Sequence, residues 1–149
     1  MNDDSALEVP RRAECAFCDY LSGRRAFTIA ASTDQIAVLV TREQRGFPHL
    51  LVVPTTHRET ILDLTDTELT SLAVGVRSAA RAIDVVYGRP GIAVWQNNGV
   101  PAHQTIPHVH FHVAGTLPGG GTDWGLVHEE SLAHTDEIAR IIAPHLHLT

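Results

Sequence analysis

Residues 108–114 read His-Val-His-Phe-His-Val-Ala, a strict alternation of imidazole and apolar side chains. Neighbouring side chains of a strand point to opposite faces, so this period of two predicts a strand across 108–114. His108, His110 and His112 then share one face, while Val109, Phe111 and Val113 anchor the other in the core. Three imidazolium charges spaced about 7 Å apart would repel one another, so at least one ring stays neutral near pH 7. A neutral ring has a free nitrogen lone pair for attack on an electrophile, for proton abstraction or for a metal. A protonated neighbour would stabilise an anion, a combination suited to phosphoryl chemistry. A solvent-exposed strand rich in histidine is the plain alternative, but strict threefold alternation with an apolar residue in each gap argues against it. A three-histidine metal site is a second alternative, which a single straight strand resists because its three rings would have to converge on one ion.

The rest of the chain supplies a frame for that strand. "AFTIAAS" (26–32) and "QIAVLV" (35–40) are β-rich segments around a turn-prone Ser-Thr-Asp, a candidate hairpin. "HLLVVP" (49–54) is a short continuous apolar strand, and "IAVWQN" (92–97) is another. Between them, Thr65 followed by Glu68 forms a capping-box signature that opens the longest helix, with stop signals at Gly88 and Pro90. Leu69, Leu72, Ala73, Val76, Ala80, Ile83 and Tyr87 recur at helical spacing and are the expected buried face. Gly75 in mid-helix costs about 1 kcal/mol against alanine, which points to close packing there. "SLAHTDEIARIIA" (131–143) predicts a C-terminal helix ended by Pro144, and residues 1–13 read as a polar, mobile lead-in. Strands first and last around one long helix predict a single α+β domain over 1–149, with an antiparallel sheet of about five strands.

A formal net charge of −6 and a pI near 5.9 argue against nucleic-acid polymers and anionic membranes as partners, though not against a small phosphate ligand. The N-terminal stretch has no apolar run resembling a signal peptide, and no segment is long enough to span a bilayer, so the expected location is cytoplasmic. The only two cysteines, Cys15 and Cys18, form a Cys-x-x-Cys pair. In a reducing compartment such a pair is more often a metal or redox site than a disulfide. A thioredoxin-like pair follows a strand, and no strand precedes this one.

"HVHFHVA" resembles the signature of the histidine triad superfamily, His-φ-His-φ-His-φ-φ with φ apolar. "HLLVVPTTHRETILDLTDTEL", "NNGVPAHQT" and "CAFC" resemble the segments around it in the zinc-containing members, and the likeness covers roughly residues 14–115. The resemblance implies a nucleotide hydrolase or transferase acting at the α-phosphorus through a covalent nucleotidyl-histidine. It assigns His110 as the nucleophile, His112 as the stabiliser of phosphate charge and Gln104 as a contact to the leaving-group atom. It adds Thr105 and Asn97 as substrate-binding residues. Asn97 and Gln104 have an alternative use, satisfying backbone groups of the turn. The resemblance also implies a structural zinc held by Cys15, Cys18, His57 and His108, and a homodimer with the long helix and a neighbouring strand at the interface.

Several positions depart from that pattern. Thr41 stands where nucleotide-specific members carry an acid for the ribose hydroxyls. Pro101 and His103 occupy a turn usually richer in glycine, Pro107 directly precedes the triad, and a long glycine-rich loop carrying Trp124 follows it. The resemblance thus implies hydrolysis of a nucleoside phosphoramidate or a similar nucleotide conjugate. Its alternatives are dinucleoside polyphosphate hydrolysis, a nucleotide- or partner-binding protein with negligible turnover, and a zinc-organised interaction module. Nucleotidyl transfer of the galactose phosphate uridylyltransferase kind belongs to much longer chains.

Overall fold

A computed structural model describes residues 4–148. Five strands form one sheet: β1 (Thr28–Ser32), β2 (Ile36–Val40), β3 (His49–Pro54), β4 (Ile92–Trp95) and β5 (Phe111–Gly115). Their spatial order is β1-β2-β3-β5-β4, and every neighbouring pair is antiparallel. Three α-helices accompany them: α1 (Ala16–Ser22), α2 (Asp66–Tyr87) and α3 (Leu132–Ile142). The α+β architecture and the five strands agree with the sequence.

Period two divides the sheet into two faces. Ile36, Val38, Val40, Leu50, Val52 and Val113 pack beneath α2 and α3, with Leu72, Ala79, Ala82, Ile83, Ile138 and Ile142 from the helices. Ala37, Leu39, Leu51 and Val53 face the other way, where Phe17 of α1 covers them. His49 and His112 belong to this second face, as alternation from Leu50 and Val113 requires. Among the described residues α1 is the one α-helix on this face, joined by Phe27 and Ile106, and a cleft remains beside them.

Helix α2 begins as its sequence specifies. Thr65 Oγ1 accepts the Glu68 N–H at 3.1 Å, and Gly88 closes the helix in the left-handed region at φ 57°. The buried face overlaps the expected one, with Val76, Ala80 and Tyr87 packed half-buried against the core, but it is centred on smaller residues. Leu72 and Ile83 are inside, but Gly75, Ser78, Ala79 and Ala82 complete that face, while Leu69 and Ala73 are exposed. The reason is Gly75, whose missing Cβ lets the helix rest on Ile36 and Val52; a Cβ there would lie 2.5 Å from Ile36 Cδ1.

The triad strand is shorter than its alternation predicts. β5 starts at Phe111, so His108, Val109 and His110 lie outside the ladder. Their backbone is held elsewhere: the Val109 N–H donates to the Arg58 carbonyl at 2.8 Å. Arg58 in turn grips Glu68 in the first turn of α2 at 2.8 Å. This tie holds the segment before β5 outside the ladder, while the His108 ring stays buried against the Pro54 carbonyl at the end of β3.

Residues 1–3 of the expected lead-in lie outside the described residues. From Leu7 onward the segment runs along the loop before the triad, where the Glu8 carbonyl accepts the Val100 N–H at 2.7 Å and Pro10 is buried.

Candidate active site and metal centre

The bend around Pro107 places the three histidines in two separate surroundings. His108 turns toward α1, and its ring nitrogen Nδ1 lies 3.3 Å from Cys15 Sγ, 3.6 Å from Cys18 Sγ and 3.2 Å from His57 Nδ1. His57 Nδ1 lies 3.4 Å from Cys18 Sγ. Four donor atoms therefore converge, all within 4.8 Å of one another. Zinc bonds of about 2.0–2.1 Å to nitrogen and 2.3 Å to sulfur span tetrahedral edges of about 3.3 Å between nitrogens and 3.5 Å between nitrogen and sulfur. The donor set fits a tetrahedral ion on distance and on chemistry. The tautomer fits too, because His108 Nε2–H donates to the Pro54 carbonyl at 2.9 Å and leaves the Nδ1 lone pair free. In the protein alone, burial first and Cys15 second push the Cys18 thiol up to about 12. Burial pushes His108 down to about 4. A bound cation would reverse the first shift by displacing the thiol proton.

His110 and His112 face a different space, a cleft of about 260 Å³ beside the open face of the sheet. Apolar walls come from Phe17, Tyr20, Phe27 and Leu51, with Tyr20 and Phe27 stacked at 4.0 Å. The Phe17 ring stands edge-on to both His108 and His110, at 5.7 and 5.0 Å, and so separates the metal cluster from the cleft. Thr105 and Thr41 border the cleft as well. A larger groove of about 780 Å³ runs along residues 7–15 to His57 and Pro107, but neither His110 nor His112 borders it.

The two cleft histidines have opposite tautomers. His110 Nδ1–H donates to the His108 carbonyl at 2.8 Å, which leaves a lone pair on Nε2. For His112 the order is reversed. The Arg45 backbone N–H donates to His49 Nδ1 at 3.1 Å, so the His49 proton resides on Nε2. That proton points at His112 Nδ1, 3.0 Å away, so His112 carries its own proton on Nε2. Trp95, directly across the ladder, stacks on His112 at 4.6 Å and 5° and fixes the ring plane. The result is a nucleophilic nitrogen beside a hydrogen-bond donor, the rings 4.9 Å apart.

All of these rings are neutral at pH 7. Burial drives His112 down to about 2, assisted by His110 and His49. It drives His49 to about 4 against an opposing pull from the Glu43 carbonyl, and lowers His110 as well. The protonated neighbour expected from the sequence is therefore absent from the free protein. His112 offers a neutral N–H instead.

Gln104 and Asn97 stand apart from the cleft. Gln104 is 3% exposed, its Oε1 accepts the Gly99 N–H at 2.7 Å and its Nε2 donates to the carbonyls of Glu59 and Ile106. Asn97 Nδ2 donates to the Ala102 carbonyl at 2.8 Å. Both satisfy the turn, the alternative use noted above. Gly99 makes that turn possible, at φ 91° and ψ 153°, a conformation few residues other than glycine adopt. His49 also borders the cleft and bonds His112, a placement that no pattern in the sequence indicates.

The HIT domain family matches residues 27–118. The chain belongs to the HIT domain family. Adenosine 5'-monophosphoramidase hnt1 of Schizosaccharomyces pombe is 30% identical over 75% of this HIT chain and 79% of its own length. The asymmetrical bis(5'-nucleosyl)-tetraphosphatase of the same yeast is 34% identical over 55% of this chain and 45% of its own length. Among solved structures, a zinc-bound histidine triad protein from Mycobacterium smegmatis superposes with a TM-score of 0.74 at 22% identity, covering 89% of this chain and 92% of that one. It shares the HIT fold. No helix among the described residues is long and apolar enough to cross a membrane.

Proposed function

We propose that this protein hydrolyses nucleotide conjugates, nucleoside phosphoramidates foremost, through a covalent bond from His110 Nε2 to the α-phosphorus. The opposite tautomers of His110 and His112 on one cleft carry this reading. The relatives named a phosphoramidase and a tetraphosphatase support its class.

In the first step the Nε2 lone pair forms a P–N bond, and the bond to the leaving amine breaks. The amine keeps the electron pair and takes a proton from water. His110 Nδ1–H stays on the His108 carbonyl, which stabilises the positive charge that the ring acquires. His112 Nε2–H donates to a phosphate oxygen. In the second step water attacks phosphorus, the P–N bond breaks, and the electron pair returns to Nε2 with loss of a proton to solvent. Thr105 lines the same cleft and supplies a hydroxyl to the phosphate. Gln104 and Asn97 act as positioning residues that hold the turn bearing Thr105.

Cys15, Cys18, His57 and His108 would hold the zinc. The ion would supply a structural crosslink between α1 and the triad segment. Paired free thiols suit the reducing cytoplasm. The chain pairs with a second copy through the free edge of β4 and the outer side of α2, where Val94 and Leu69 are exposed.

Turnover of adenosine 5'-phosphoramidate by the purified protein tests the activity. Release of AMP is expected from the wild type and a loss of at least about a thousandfold from His110→Ala. Equal rates in the two proteins would refute the assignment.

A further inference from the structure

All eleven basic residues of this chain are arginines, in a sequence of net charge −6. Five of them, Arg24, Arg42, Arg45, Arg58 and Arg140, pair with carboxylates. The other six do not, among the described residues, and three of these six, Arg11, Arg12 and Arg25, border one groove of about 450 Å³. That groove shares Arg25 and Ile106 with the catalytic cleft, so the two spaces adjoin.

Two of the three guanidiniums are positioned by a contact, and all three have donors to spare. Arg12 Nε donates to the Thr105 carbonyl at 3.0 Å, which fixes the side chain and leaves its terminal nitrogens free. Arg25 lies over the Tyr20 ring at 5.1 Å. Arg11 has no hydrogen-bond or ionic partner among the described residues. Among the described residues Glu14 is the only carboxylate on the groove. Three like charges on a common groove repel one another unless an anion joins them, and guanidinium forks match phosphate oxygens in geometry. Local positive potential of this kind also concentrates anionic ligands against an unfavourable global charge.

We propose that this groove is an anion subsite continuing the catalytic cleft, so that preferred substrates carry a second phosphate remote from the scissile phosphorus. The proposal rests on the hydrolase reading above and narrows its substrate class. The second phosphate sits either in a polyphosphate leaving group or on the ribose, and the same chemistry recognises both.

The test compares three substrates: adenosine 5'-phosphoramidate with an uncharged amine, diadenosine tetraphosphate, and the phosphoramidate bearing a 3'-phosphate. Arg11→Glu is expected to lower kcat/KM at least tenfold for a substrate with the second phosphate and to leave the uncharged phosphoramidate within twofold. Arg11→Lys, which keeps the charge, retains most of the wild-type preference. A selective loss on the tetraphosphate places the anion on the leaving side; a selective loss on the 3'-phosphate places it on the ribose. Equal effects on all three, or none, overturn the subsite. Should the wild type hydrolyse none of them, the hydrolase reading fails separately. Binding of AMP against ATP and adenosine 3',5'-bisphosphate then reads the groove: weakening by Arg11→Glu of a ligand with a second phosphate supports the subsite, and uniform affinity overturns it.

Discussion

His49 Nε2 lies 3.0 Å from His112 Nδ1, and the bond fixes which nitrogen of His112 faces the cleft with a proton. The two residues are diagonal neighbours on antiparallel strands: His112 sits across from Leu51, and His49 sits across from Ala114. Removing the His49 donor frees the His112 ring to take the other tautomer. His49→Phe is therefore expected to lower kcat by about ten- to a hundredfold, the range of a lost acid–base or orienting contact. His49→Gln, which restores an N–H donor, recovers part of it. Nitrogen-15 shifts of the His112 ring check the cause directly: the wild type shows a protonated Nε2, and His49→Phe shows a mixture.

The metal cluster makes a second prediction. Cys15→Ser and His57→Ala are expected to reduce bound zinc from one per chain to a small fraction, measured by elemental analysis after dialysis. Thermal unfolding shifts downward in step, because the ion binds the folded arrangement and not the unfolded chain. Full zinc occupancy in Cys15→Ser would show that the four donors do not act as one site.

Acid should destabilise the fold through its buried histidines. Folding holds His49 down to about 4 and His112 to about 2, from an ordinary value of 6.5. Between pH 6.5 and about 4 the unfolded chain binds protons at both positions that the folded chain does not. Stability is greatest above pH 6.5 and falls as the pH drops, by roughly 1.4 kcal/mol per pH unit for each fully uncompensated proton. Urea midpoints at pH 7.5 and 5 measure the effect, and His49→Phe has a shallower slope.

Gly75→Ala tests the contact that sets the face of α2. Alanine gains about 1 kcal/mol of helix propensity. Its Cβ would fall 2.5 Å from Ile36 Cδ1 and 3.0 Å from Val52 Cγ1 in the buried core. Overpacking typically costs about 1–3 kcal/mol, so the variant is expected to be less stable despite the better helix former. An increase in the urea midpoint would show that Ile36 yields more easily than the packing implies.

Much of this was legible in the sequence wherever a signal is local. The apolar run from His49 to Pro54 became β3 with its bounds intact, and Thr65 with Glu68 opened α2. Cys15, Cys18, His57 and His108 converge as the family resemblance implied. Signals that depend on a partner far along the chain were not legible. The His49 partner is 63 residues away and offset by two on the next strand, so no spacing rule reveals it. His108 leaves the strand because Arg58 takes the Val109 N–H, a competition that alternation cannot show. Leu69 and Ala73 of α2 are exposed, while Gly75, beside them, lies against Ile36 and Val52 of the sheet. Arg11, Arg12 and Arg25 lie in segments without periodicity, and only folding brings them to one groove.

The central claim is a covalent bond at one nitrogen. Intact-mass and peptide-mapping measurements after a millisecond acid-free quench of the protein with adenosine 5'-phosphoramidate test it most directly. The account predicts an adenylyl adduct on His110 that rises and decays with turnover and is missing from His110→Ala. An adduct on any other residue, or product formation by His110→Ala at the wild-type rate, would contradict it.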